Sequence, residues 1–295
     1  MGYIKNIVGE GILKQALVFL LFFSLPVFAK ISLVDDSGAK VVLTEPAKKI
    51  VSLSPHLTEL LFSLGVGERI EATVEFSDYP EEALQIPRLG SAFAVSVEAV
   101  IELSPDLIVA WMTGGNYRTF EQLKGLGYSV FVNEANNIDD IGLAVEQLGL
   151  LVGKPALGRQ LSARFRADLA EVRQSRSSIE SPTVFFQISD TQLYTVNHKH
   201  LIGQAIEACG AQNIFADVRI PVSMVSYESV VVLNPDFLVV STPYLGYESA
   251  WDKRWRKLGW GDRIKMIDAS IITRPSLRML EGVKTLCRFF DDEMK

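Results

Sequence analysis

The chain is poor in the residues that build metal and redox centres, with three histidines and two cysteines in 295 residues. His56 stands alone, and His198-Lys199-His200 alternates as a strand or loop does. The donor spacing of a zinc or manganese site is missing, so no metal ligand is assigned. There is no Cys-x-x-Cys, His-Glu-x-x-His, Gly-x-Ser-x-Gly, phosphate loop or dinucleotide fingerprint. That removes the commonest routes to redox, hydrolytic and nucleotide chemistry. Asp78 and Asp106 do not read as an acid/base pair, and neither a catalytic residue nor a resident cofactor is expected. Positive charge is short as well. With 29 basic against 35 acidic side chains the formal charge is −6, the wrong sign for a nucleic-acid face.

Lys5 and Lys14 precede an apolar run from Ala16 to Phe28, broken by Pro26 and followed by Ala29. A basic start, a short apolar stretch and Val27-Phe28-Ala29 fit a secretory signal peptide over residues 1–29, cut after Ala29. The run falls short of the about 20 apolar residues of a membrane span; an uncleaved anchor is the alternative. The segment has no cysteine to carry a lipid. In an oxidising compartment Cys209 and Cys287 are expected to form a disulfide tying an early helix of the second half to the terminal one; two separate buried thiols are the alternative.

What is present is a duplicated phrase. Val95-Ser96-Val97-Glu98-Ala99-Val100-Ile101-Glu102-Leu103-Ser104-Pro105-Asp106-Leu107-Ile108-Val109 returns 130 residues later as Val225-Ser226-Tyr227-Glu228-Ser229-Val230-Val231-Val232-Leu233-Asn234-Pro235-Asp236-Phe237-Leu238-Val239, identical at eight of fifteen positions. So long a period implies two related lobes with a cleft between them, not a solenoid. Each copy predicts a short helix capped by Ser96 or Ser226, a break at Pro-Asp, and a buried strand.

Ile31 to Val34 and Val41 to Leu43 flank Asp35-Asp36-Ser37-Gly38 as a hairpin. Ile50 to Leu53 and Ile70 to Val74 suit buried strands, with a helix from Thr58 to Leu64 between them. Trp251, Trp255 and Leu258 recur at helical spacing and are expected to pack inward. Pro155 opens a stretch to Ser178 that holds one glycine, Gly158, and no second proline; Leu157, Leu161, Phe165, Leu169 and Val172 form its apolar stripe. The fold class expected is α/β, with two Rossmann-like lobes of parallel sheets joined by a long backbone helix. The divisions are residues 30–154 for the first lobe, 155–178 for the helix and 179–295 for the second lobe. A stiff helical connector predicts small opening motions. Ligands in such sheets sit beyond the strand carboxyl ends, here at Trp111 and Gly114-Gly115-Asn116-Tyr117, and at Thr242-Pro243-Tyr244.

Ile50-Val51-Ser52-Leu53-Ser54-Pro55-His56-Leu57-Thr58-Glu59-Leu60-Leu61, Ser77-Asp78-Tyr79-Pro80, Ala208-Cys209-Gly210 and Arg274-Pro275-Ser276-Leu277-Arg278 give the chain a further likeness. It resembles the periplasmic vitamin B12-binding proteins, within the helical-backbone substrate-binding proteins of ABC importers. The resemblance implies a periplasmic monomer that holds cobalamin or another corrinoid between its lobes and delivers it to an inner-membrane permease. Haem or a ferric siderophore is the alternative cargo. It implies ligand contacts from Phe76, Trp111, Tyr194 and Arg274, with Phe93 as a neighbour, and permease docking through Glu98 and Glu228, which hold the same place in the two copies. Ala92 and Val222 stand where familiar cobalamin receptors carry tryptophan, and Ser270 replaces an aspartate, which implies a roomier, less aromatic cleft. His56 is expected at a helix start; an axial contact to cobalt is the weaker reading.

Overall fold

A computed structural model describes residues 30–175, 181–244 and 246–291; the expected signal segment lies outside them. The chain opens with strands β1 (Ile31–Val34) and β2 (Lys40–Leu43), paired antiparallel. Asp35 anchors their turn, accepting the amides of Ser37 and Ala39 and, from across the lobe, that of Val132. Next come β3 (Ile50–Ser52), α1 (Pro55–Ser63) and β4 (Ile70–Ala72). Helix α1 starts three residues before the predicted Thr58, because a proline suits the first helical turn, where no amide partner is needed.

The first copy of the phrase forms α2 (Val97–Glu102) and β5 (Leu107–Trp111), followed by α3 (Tyr117–Gly125), β6 (Val130–Asn133) and α4 (Asp140–Leu151). The sheet is parallel throughout, in the order β4-β3-β5-β6. Strands β3, β5 and β6 are short, mostly apolar runs buried on both faces, as parallel sheets covered by helices require, while the edge strand β4 exposes Glu71.

Helix α5 (Pro155–Ser175) then leads to the second lobe. It packs along α4, where Gly149 and Gly158 meet; a Cβ on Gly149 would come within 3.0 Å of the Gly158 Cα. Beyond it lie β7 (Thr183–Gln187), β8 (Tyr194–Val196), α6 (Leu201–Ala208), β9 (Gln212–Asn213) and β10 (Val222–Met224). The second copy gives α7 (Tyr227–Leu233) and β11 (Phe237–Thr242), before α8 (Ala250–Lys257), β12 (Ile264–Asp268), α9 (Ala269–Ile272) and α10 (Met279–Asp291). The main sheet runs β12-β11-β7-β9, again parallel, which is the first sheet's order read from the other edge. The two copies thus occupy equivalent places in separate sheets.

The phrase explains itself in three dimensions. Ser96 and Ser226 each accept the amide three residues on, from Ala99 and Ser229. Ser104 and Asn234, equivalent in the repeat, both carry positive φ, 48° and 44°. Short polar side chains tolerate that left-handed turn better than branched ones. Asp106 accepts the amides of Lys48 and Lys49, and Asp236 accepts the amide and hydroxyl of Thr183. Each aspartate therefore pins the start of the strand next door, β3 or β7, and is structural in both lobes.

Cys209 caps α6 and is bonded to Cys287 of α10 across 78 residues. Trp255 is fully buried and stacks with Tyr227, Trp251 and Trp260. Leu258, expected inside with it, is 38% exposed at the end of α8. Terminating the helix there turns the residue away from the apolar stripe.

Candidate functional site

The strand carboxyl ends of the second lobe and the loop after β4 of the first enclose a cavity of about 620 Å³, within the range of small-molecule pockets. The second lobe supplies the segments that follow β7 (Ile188, Asp190), β11 (Thr242) and β12 (Asp268, Ser270), and the first supplies the loop after β4. This is the placement expected of open α/β sheets.

Two arginines hold the cavity's base. Arg274 Nη1 donates to Glu59 Oε1 at 3.0 Å and to Asp78 Oδ1 at 2.6 Å, and its Nη2 donates to Asp78 Oδ2 at 3.2 Å. Arg278 donates to both oxygens of Glu59, Nε to Oε2 at 3.0 Å and Nη2 to Oε1 at 2.8 Å, while Ser276 Oγ donates to Oε2. The guanidinium of Arg278 also lies 3.5 Å over the Tyr79 ring, a cation–π contact. Glu59 sits in α1 and is 3% exposed; its three partners all come from the second lobe, so the clasp joins the lobes.

Burial opposes ionisation of Asp78, but hydrogen bonds from Arg274 and its charge outweigh that and hold the carboxyl below its usual range. Burial likewise works against the charge on Arg274, and the Asp78 and Glu59 carboxylates more than offset it, raising its pKa. Both groups are ionised at neutral pH.

Below Trp111, at the end of β5, lies a buried polar chain. The His56 and Trp111 rings meet edge to face at 5.3 Å. Asn133 Nδ2 donates to Asp36 Oδ2 at 3.0 Å, which fixes its amide and leaves Oδ1 to accept from His56 Nε2 at 3.2 Å. His56 Nδ1 then accepts from the Ser54 hydroxyl at 2.7 Å. Burial pushes the imidazole down to about 4, the Asn133 bond opposing the shift and the Arg274 charge adding to it. His56 is thus a neutral, fully engaged support at the start of α1, not an exposed ligand to a metal.

Of the five predicted ligand contacts, Phe76 and Arg274 line the cavity. Phe76 is 74% exposed and carries a positive φ of 64°, so the loop holds an aromatic ring out into solvent at a backbone cost. Phe93 is exposed too, and its carbonyl accepts from Asn116. Trp111 is half-buried beside Gly114, where a Cβ would overlap its ring. Tyr194 is half-buried at the start of β8, opposite Met224 of β10. Phe93, Trp111 and Tyr194 lie outside the lining of the 620 Å³ cavity. Ser270 is in that lining and donates its amide to Asp268. Val222 is 40% exposed on β10 and Ala92 half-buried. Glu98 and Glu228 are exposed in the first turns of α2 and α7. The Ser96 hydroxyl donates to Glu98 Oε2, and bonds to the Glu98 backbone and to Ser96 lower that carboxyl's pKa.

Sequence reasoning missed Asp190, Asp268 and the clasp role of Glu59. An acidic residue inside the apolar run of α1 was the one local hint of the last.

Three comparisons with known proteins agree. The profile of the family described as periplasmic binding protein matches residues 50–293. The vitamin B12-binding protein of Vibrio cholerae serotype O1 is 30% identical over 246 residues, 83% of this chain and 89% of that protein. The crystal structure of the periplasmic vitamin B12-binding protein BtuF of Vibrio cholerae superposes with a TM-score of 0.77 at 30% identity, covering 85% of this chain and 99% of that one. The apo form of the periplasmic haem-binding protein RhuT from Roseiflexus sp. RS-1 follows at 0.75 and 23% identity, over 84% and 100%, a likeness of fold alone. From its third strand to its last helix, this chain belongs to the periplasmic binding protein family.

Proposed function

We propose that this protein captures cobalamin or a closely related corrinoid in the cleft between its lobes and passes it to an ABC importer permease. The observation that carries the reading is the shared 30% identity and near-complete coverage with vitamin B12-binding relatives, in sequence and in structure alike, combined with an interlobe cavity at the strand carboxyl ends. The haem-binding neighbour is more distant in sequence, so haem is the less favoured cargo.

In this reading Phe76 and Trp111 offer aromatic faces to a large flat ligand, Phe93 and Tyr194 border it, and Arg274 stands at the cavity base. Glu98 and Glu228, equivalent knobs on two lobes, suit a permease of two like halves. The protein acts as a monomeric receptor in the periplasm, after removal of residues 1–29, and binds without chemical conversion.

Titration of the purified protein with cyanocobalamin, haemin and a ferric siderophore, followed by calorimetry, tests the reading. Micromolar or tighter binding of cyanocobalamin alone is expected. Binding of haemin without cyanocobalamin would replace it.

A further inference from the structure

The cavity's charge is unusual for a pocket with two arginines in its wall. Among the described residues lining it, Arg274 and Arg278 are the only cations, and neither is free. Arg274 is held by Glu59 and Asp78, and Arg278 by both oxygens of Glu59. Their side chains are 14% and 16% exposed, and turning either toward a ligand would give up ion-pair hydrogen bonds to the buried Glu59, a costly exchange.

The remaining charged groups in the lining are acceptors. Asp190 receives the Tyr247 hydroxyl on Oδ2, and Asp268 receives the Ser270 amide on Oδ1. Neither is in an ion pair among the described residues. Each of those contacts engages one oxygen of the carboxylate. Counting Glu59 behind the wall, four carboxylates face two guanidinium groups. Thr242 and Ser270 add hydroxyls.

We infer that Asp190 and Asp268, with the pre-paired arginines, make this cleft a selector for neutral, amide-bearing ligands against carboxylate-bearing ones of the same shape. A ligand's primary amide donates to a carboxylate; a ligand carboxylate meets uncompensated negative charge and no available cation. Juxtaposed like charges are among the strongest means of rejecting a wrong partner. The inference rests on the corrinoid reading above and sharpens it: the cargo is the fully amidated macrocycle, and its side-chain acids are refused, as are the propionates of haem.

The test compares cyanocobalamin with its monocarboxylic acids, in which one propionamide is hydrolysed, by calorimetric titration of the unmodified protein at pH 7. Each acid is expected to bind about tenfold or more weakly, the scale of one like-charge contact at intermediate dielectric. In D190N/D268N, where each asparagine oxygen keeps the acceptor for Tyr247 or Ser270, the ratio should fall several-fold. Equal affinity for amide and acid in the unmodified protein, or an unchanged ratio in D190N/D268N, would overturn the selection while leaving the corrinoid reading intact. Absence of binding to every corrinoid would overturn that reading and this inference with it.

Discussion

Arg278 in the second lobe places Nη2 2.8 Å from the Glu59 carboxylate of the first, across 219 residues of sequence. The same carboxylate takes Arg274 and Ser276. One acidic side chain thus gathers the second lobe's Arg-Pro-Ser-Leu-Arg turn onto helix α1. Removing a partner from a buried ion pair costs about 3 kcal/mol or more, because the remaining charges stay buried. E59Q should therefore lower the unfolding free energy by about 3 kcal/mol, measured by urea titration. A loss near zero would mean the clasp is not sustained in solution.

Gly114 makes room for Trp111, and an added Cβ would overlap the indole. G114A should force the ring to move. Tryptophan fluorescence should shift, and affinity for cyanocobalamin should fall at least tenfold. Unchanged affinity with a shifted spectrum would remove Trp111 from the set of ligand contacts.

The Cys209–Cys287 bond closes a loop of 78 residues. On the chain-entropy account such a link stabilises by about 4 kcal/mol. Reduction, or C209S/C287S, should lower the denaturant midpoint accordingly without changing which ligand is bound. Cofactor or metal removal plays no part in this effect, and chelators should leave it untouched.

Acid should weaken the fold through His56. In the unfolded chain its imidazole titrates near 6.5, whereas burial lowers it to about 4 in the folded protein. Between those values the unfolded state binds a proton that the folded state does not. The contribution is complete above about pH 6.5 and is lost as pH falls through 4, amounting to about 3 kcal/mol. His200 is shifted the same way by burial, also to about 4. H56Q, which can still bridge Ser54 and Asn133, should show a shallower loss of stability over that window. A slope identical to that of the unmodified protein would argue against the buried neutral histidine.

Much of this architecture was legible in the chain. The repeat announced two helix-to-strand units, and both form with the serine caps assigned to them; the Pro-Asp breaks fell where the strands begin. The long helix from Pro155 and the cysteine pair were equally readable, since periodicity and a count of two leave few choices. What stayed hidden depends on contacts between distant segments. Nothing near Glu59 in the sequence points to Arg274 or Arg278, and nothing at Asp190 or Asp268 distinguishes them from other surface acids until the lobes face each other. Arg274 shows the same limit in reverse. Family likeness suggested a ligand-binding arginine, whereas its engagement with two carboxylates is visible only in three dimensions.

The interior of the second lobe has a further implication. Ala135 and Ile138, from the segment between β6 and α4, and Ile141, in the first turn of α4, are packed into the same apolar cluster as Phe186, Ile206 and Leu286. Leu277, in turn, packs against the clusters of both lobes. Although the phrase is duplicated, the halves are no longer separable modules. Either one, expressed alone, would display a raw apolar patch where its sibling belongs, and fragments severed before Pro155 would regain order only by reassociating.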